Sequence, residues 1–147
     1  MKDKLILIVE DNPDHLELTV LTLRGQGVTA EIAVATDGAQ ALNYLFGQDN
    51  HSSRNTARQP SFVMLDMKLP KLSGLDVLRA IRSNPLTALV PVVMLTSSSE
   101  HSDMLACYQS GANAFVRKPV NFKEFTDKLN CVQAFWLGTN ESLAIGQ

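Results

Sequence analysis

Four short apolar runs in this chain each end on a residue able to do chemistry. Glu10 and Asp11 follow Leu5-Ile6-Leu7-Ile8-Val9, Asp66 follows Phe62-Val63-Met64-Leu65, Thr96 follows Val92-Val93-Met94-Leu95, and Lys118 follows Ala114-Phe115-Val116-Arg117. Runs of this length, rich in β-branched residues and bounded by turn formers, are expected to be buried strands. In an open parallel sheet, ligands bind at the carboxyl ends of the strands. Three carboxylates, a hydroxyl and an ammonium are therefore expected along one edge of one sheet. Two carboxylates ~4 Å apart repel by roughly 4 kcal/mol at an effective dielectric near 20, so the cluster needs a cation. A few hard oxygen ligands at an open edge suit Mg²⁺, which keeps several waters. Mg²⁺ would also neutralise an incoming phosphoryl group, and an aspartate can carry that group covalently. Asp66, mid-sheet beside strand one, is the candidate nucleophile. Lys118 offers a compact charge to phosphoryl oxygens, and Thr96 offers a hydroxyl donor.

Each residue has a plainer explanation. Acidic residues after a first strand often only cap a helix, a Thr at a strand end is commonplace, and a Lys before Pro is usually solvated. The functional reading rests on all of them falling, in order, at strand ends.

The elements that must position them alternate strand and helix five times. Strands are expected at 5–9, 30–35, 62–66, 92–95 and 114–117. Asn12-Pro13 suits an N-cap and first helical position. The helix it starts has Leu16, Val20 and Leu23 inward and ends at Gly25 and Gly27. Thr36-Asp37-Gly38 leads into a helix with Ala41, Leu42 and Leu45. Residues 47–60 are polar and aperiodic, and are expected to form a long surface loop. Pro70 and Gly74 bracket a loop before a helix with Leu75, Leu78 and Ile81; Asn84-Pro85 breaks the chain, and Pro91 leads into strand four. A helix from Glu100 to Ser110 ends at Gly111. After Pro119 a long helix runs from about 122 to 137, and the last ten residues are expected to fray. This pattern implies an α/β sandwich, a parallel sheet with helices on both faces.

The 147 residues suit one domain, and 45% hydrophobic content suffices for a core. A net charge of −2 without a basic stripe argues against nucleic acid or anionic membrane as partners. Lys2 and Lys4 precede too short an apolar run for a signal peptide, and no run approaches the ~18–20 residues of a membrane span, so a cytoplasmic location is expected. Cys107 and Cys131 lack metal or CxxC spacing and are expected to be inert, buried or half-buried thiols.

Residues 6–13 (ILIVEDNP), 63–74 (VMLDMKLPKLSG), 92–98 (VVMLTSS) and 111–119 (GANAFVRKP) resemble, in order, the four signatures of the receiver domain of two-component response regulators. The resemblance implies a flavodoxin-like (βα)5 fold with strand order 2-1-3-4-5. It implies that Asp66 accepts a phosphoryl group from a histidine of a sensor kinase. Asp11, Asp66 and the main-chain carbonyl of Lys68 would bind Mg²⁺, with Glu10 acting through water. Lys118 would pair with the phosphoryl group, Thr96 and Phe115 would form the switch pair, and the Lys118–Pro119 bond would be cis. Within the family, the 47–60 loop, LPKLSGLDVLRAIRSNP (69–85) and Phe135-Trp136-Leu137 are most similar to the stand-alone regulators paired with cyanobacterial phytochromes. A receiver over 3–137 is then expected, with a 138–147 tail, no output domain, a phytochrome-type kinase and a separate downstream target. Lys68 and Ser98, two positions after Asp66 and Thr96, border the path of a hydrolytic water.

Phosphorylation would draw Thr96 inward and Phe115 after it, switching the face made by helix four, strand five and helix five. Phe122, Phe125, Leu129, Val132 and Trp136 recur at 3-4-3-4 spacing on the last helix. The first three are expected to cover the sheet. Val132, Phe135, Trp136 and Leu137 are expected to run past it into a homodimer interface. A haloacid-dehalogenase-type phosphatase would need a carboxylate where Lys68 stands. A flavodoxin-like carrier would not place Glu10-Asp11 against a phosphate. A degenerate receiver serving only to dock is the remaining alternative.

Overall fold

A computed structural model describes residues 4–25 and 30–143. Five parallel strands, β1 (Leu5–Val9), β2 (Glu31–Ala35), β3 (Phe62–Leu65), β4 (Val92–Thr96) and β5 (Ala114–Arg117), form one sheet in the order β2-β1-β3-β4-β5. Between and after them lie α1 (Pro13–Gly25), α2 (Gly38–Phe46), α3 (Gly74–Ser83), α4 (His101–Gln109) and α5 (Phe122–Gln133). The order reverses beside β1, so the connections leaving the paired strands β1 and β3 run to opposite faces at the switch point where such sheets bind ligands.

The central strands read as unbroken apolar runs because both faces are covered. Ile6, Ile8, Phe62, Met64, Val93 and Leu95 join Leu23 of α1 and Phe125 and Leu129 of α5 in one core layer. Leu7, Val9, Val63, Leu65, Val92 and Met94 face the other way, toward Ala41 and Leu45 of α2, Leu78 and Ile81 of α3 and Cys107 of α4. Each such side chain contributes roughly 1.5–3 kcal/mol through burial. Register is thereby fixed, since a one-residue slip would exchange the two layers.

Local chemistry sets the helix starts. Asp37 accepts from the Gln40 amide at 2.8 Å, Asn121 from Glu124 at 3.1 Å, and Ser73 with Asp76 forms a reciprocal capping box. At the opposite end of the sheet from the site, Arg82 ties three segments together. It donates to the carbonyls of Gly111 (2.9 Å), Ala88 (3.2 Å) and Val90 (2.7 Å) and to Asn113 Oδ1 (2.8 Å).

Several expectations need correction. In α1 Leu16, Val20 and Leu23 pack against the core layer as expected, but the buried face also takes in Thr19. The Thr19 hydroxyl donates to the His15 carbonyl at 2.7 Å, which allows a polar residue on the inner face. Gly27 lies outside the described residues, as do residue 3 and positions 144–147 of the expected tail. The 47–60 loop is not featureless. It holds a 3₁₀ turn (Asp49–His51), and side-chain bonds replace an apolar period: Arg54 donates to Tyr44 O at 2.7 Å and Arg58 O at 2.6 Å, and Gln59 to Leu45 O at 3.1 Å. Phe122 does not cover the sheet; it is 66% exposed, because it is the first residue of α5 and precedes the buried face. The last helix stops at Gln133 and continues as a π-helix (Ala134–Thr139), so residues 138 and 139 belong to it rather than to a tail. The wider turn folds Trp136 and Leu137 back onto the core layer where Val132 is buried. Val132 is buried there, Trp136 and Leu137 are half-buried against it, and Phe135 is exposed. Cys107 is buried, but Cys131 is exposed on the outer side of α5. Among the described residues no peptide bond is cis, so Lys118–Pro119 is trans. Trans is the intrinsic preference of an X-Pro bond, by ~0.5–1 kcal/mol.

Candidate functional site

Glu10 follows β1, Asp66 follows β3 and Lys118 follows β5; all three turn toward one point at the carboxyl edge of the sheet. The Lys118 ammonium donates to Glu10 Oε1, to Asp66 Oδ2 at 3.1 Å, and lies 3.2 Å from His15 Nδ1. These ion pairs are well shielded: the side chains of Lys118, Glu10 and Asp66 are 7%, 5% and 11% exposed. The lysine expected on general grounds to be solvated is instead an internal counter-ion. Asp11 is exposed beside them, and one carboxylate oxygen each from Glu10, Asp11 and Asp66 falls within 4.8 Å of the others.

Three carboxylates face one ammonium, and Glu10 is a buried one of the three. Burial pushes its pKa up to about 7; the hydrogen bond from Lys118 opposes this and the charge of Asp66 adds to it. An added divalent cation would reverse that shift. The donor set is all oxygen, and an exposed carboxylate leaves room for waters, so these residues fit a hard cation such as Mg²⁺.

Backbone groups hold the Asp66 and Glu10 carboxylates from the other side. The Lys68 amide donates to Asp66 Oδ1 at 3.2 Å, while the Lys68 side chain points to solvent. Glu10 Oε2 accepts from the Asn12 amide at 3.2 Å. Helix α3 begins directly against Asp66: a Cβ on Gly74 would lie 2.1 Å from the Asp66 carbonyl oxygen. Only glycine permits that approach, and the Gly74 amide then donates to Met67 O at 2.8 Å.

Thr96 is fully buried at the end of β4, and its carbonyl accepts from the Lys118 amide at 2.7 Å. Its hydroxyl accepts from the Ser98 amide at 3.3 Å, and the buried Ser98 hydroxyl donates in turn to Asp103 of α4. The strand-end threonine is thus wired to the first turn of α4. Phe115 pairs with Met94 and Arg117 with Thr96, so the pleat puts Phe115 on the same face as Thr96, one step back along β5. Phe115 borders a cleft of about 380 Å³ with Ser98, Met104 and Arg117.

The sequence pattern missed His15. It stands one helical turn after Asp11, and a search at i+4 from the acidic pair would have found it.

A five-stranded sheet in this order, with acidic residues after β1 and β3 and a buried lysine after β5, defines the class. Residues 6–130 match the response regulator receiver domain, and the chain belongs to that family. It is similar to response regulator Rcp1 of Synechocystis sp., with 32% identity over 136 residues, 92% of this chain and 90% of Rcp1. The Mn²⁺-bound form of Rcp1 superposes with a TM-score of 0.89 at 31% identity, covering 96% of this chain and 99% of that one. The phosphorylated cyanobacterial phytochrome response regulator RcpA also gives 0.89, at 30% identity and the same coverage. The bacteriophytochrome response regulator RtBRR is 43% identical, over 98% of this chain and 86% of that one, with a TM-score of 0.76. The chain is thus a signalling module related to phytochrome response regulators. Among the described residues no helix is long and apolar enough to cross a membrane.

Proposed function

We propose that this chain accepts a phosphoryl group on Asp66 from a phosphohistidine of a phytochrome-type sensor kinase. The observation that carries the reading is the buried Lys118 ammonium bridging Glu10 and Asp66 beside Asp11. A carboxylate oxygen of Asp66 forms the new O–P bond as the N–P bond of the donor breaks, and its electron pair stays on the imidazole. Asp11, Asp66 and the Lys68 carbonyl would hold Mg²⁺, with Glu10 acting through water; the ion supplies charge neutralisation between carboxylates and phosphoryl oxygens. Lys118 turns from Asp66 to a phosphoryl oxygen. Thr96 donates its hydroxyl to another, which draws on the Ser98–Asp103 connection to α4 and opens space for Phe115 beside the α4–β5 cleft.

The phytochrome assignment draws on the relatives, since RcpA is named for that pairing. Residues 3–137 form the working unit, acting in the cytoplasm on a separate target. Self-association uses the outer side of α5 around Phe135, with Val132, Trp136 and Leu137 supporting it from within.

Incubation with phosphoramidate and Mg²⁺, read by intact mass, tests the central claim. One phosphate adduct is expected on the wild type and none on Asp66→Asn. Equal adducts on both would remove Asp66 as acceptor. No adduct on either, with Mg²⁺ bound by calorimetry, would leave a module that docks without the chemistry.

A further inference from the structure

We infer that His15 is a positioning residue for Lys118, fixing the ammonium over the reacting carboxylate. A lysine ammonium has three donors and swings on a four-carbon stem. Here two point to Glu10 Oε1 and Asp66 Oδ2, and the third meets His15 Nδ1 at 3.2 Å. In that geometry Nδ1 is the acceptor and the ring proton sits on Nε2. When Asp66 takes up a phosphoryl group, its own hold on the ammonium is lost. Glu10 and His15 then remain as two fixed points, and they aim the third N–H at the phosphoryl oxygen.

His15 is itself built in. Its amide donates to Asn12 Oδ1 at 3.1 Å, and its carbonyl accepts from the buried Thr19 hydroxyl at 2.7 Å. Its ring leans on Phe125 of α5, with centroids 6.3 Å apart. A half-buried imidazole fixed at both ends of its backbone and along one face loses little entropy in holding a partner. A histidine there for helix packing alone would not need a ring nitrogen on the lysine. The inference rests on the reading of Asp66 as acceptor, but one of its readouts does not need phosphorylation.

Three variants separate the roles. His15→Ala removes ring and acceptor, His15→Phe keeps the packing on Phe125 without the acceptor, and His15→Asn keeps an acceptor near the position of Nδ1. The first readout is the Nζ signal of Lys118 in ¹⁵N-lysine-labelled, unphosphorylated protein, assigned by its loss in Lys118→Met. The signal is expected to be sharp in wild type and in His15→Asn, and broadened by solvent exchange in His15→Ala and His15→Phe. The second is the rate of phosphoramidate uptake, expected to fall about 5- to 10-fold in the Ala and Phe variants, the size of one ordinary lost hydrogen bond, and to recover to within about twofold in His15→Asn. Wild-type behaviour of His15→Phe in both readouts would overturn the inference, because packing alone would then account for the ring. Failure of His15→Asn to restore the ammonium signal would do the same. If the wild type takes up no phosphoryl group, the acceptor reading fails, and the ammonium signal still decides the role of His15.

Discussion

Replacing Gly74 by alanine tests whether the start of α3 fixes the backbone of Asp66, the proposed acceptor. The added Cβ would sit 2.1 Å from the Asp66 carbonyl oxygen, 2.7 Å from Met67 Cα and 2.9 Å from the Asp66 carbonyl carbon. Ordinary contact begins near 3.4 Å, so the carbonyl oxygen is short by about 1.3 Å, and no flexible side chain stands between to absorb it. Helix and loop must part. Overpacking of this kind costs roughly 1–3 kcal/mol, or a fall in Tm of about 4–10 °C for a chain of this size. The larger effect falls on the site, because Asp66 and the Lys68 amide that holds it lie on the displaced segment. A shift of about 1 Å in a reacting group lowers the rate on the order of 10²-fold. Phosphoramidate uptake by intact mass gives the rate, and a thermal melt gives the stability. Gly25→Ala, where a Cβ meets nothing within 4 Å, is the control and is expected to leave both readings unchanged. If Gly74→Ala retained wild-type uptake within about twofold and melted within about 1 °C of wild type, the claim that α3 fixes the acceptor backbone would be refuted.

Glu10 should make stability pH-dependent in the absence of divalent cation. Its folded pKa of about 7 lies above the ordinary 4.5, so the folded state keeps a proton the unfolded state has released. This contribution is complete below pH 4.5 and is lost as pH rises toward 7, a loss of at most about 3 kcal/mol. Urea titrations across that window should show the slope flattened in Glu10→Gln, and an unchanged slope would assign it elsewhere. Arg82→Met should lower stability by about 3 kcal/mol in the same assay, since it removes four hydrogen bonds from a charged group and leaves carbonyls unpaired. Arg82→Lys should fail to restore it, because an ammonium has only three donors. Phe135→Ser should shift analytical ultracentrifugation toward monomer with little change in Tm, Phe135 being 46% exposed; a wild type that is monomeric at all concentrations would remove the dimer instead.

The strands were legible because central parallel strands cannot alternate: residues 5–9, 62–65 and 92–95 are buried on both faces and read as solid apolar runs, while their order was implied by the resemblance to receiver domains. The convergence of Glu10, Asp11, Asp66 and Lys118 followed from strand ends alone, since topology carries those positions to one edge. What depended on side-chain partners was not legible. Thr19 is buried because its hydroxyl finds a carbonyl one turn back, and a hydrophobic period cannot register that. The 47–60 loop takes its order from Arg54 and Gln59 reaching backbone carbonyls. Phe122 fits the seam by spacing, yet it precedes the turn of α5 that meets the sheet. The π-helical winding of Ala134–Thr139 was not legible either, because a 3-4-3-4 spacing carries no sign of the wider turn that begins after Gln133.

The ammonium that steadies the acidic pair comes from far along the chain: Lys118 is 108 positions from Glu10 and 52 from Asp66. On a ribosome adding about 5–20 residues per second, those carboxylates emerge many seconds before their counter-charge. Until then the carboxylates at the β1 and β3 ends have no internal counter-charge, and pairing of the two strands must outweigh their repulsion through backbone hydrogen bonds and apolar burial alone. A partly made chain therefore presents an aspartate with no lysine to receive the phosphoryl charge. On the reading of Asp66 as phosphoacceptor, the site is complete only once the fifth strand has been made, so truncation before Lys118 should abolish uptake even where the carboxylates are present.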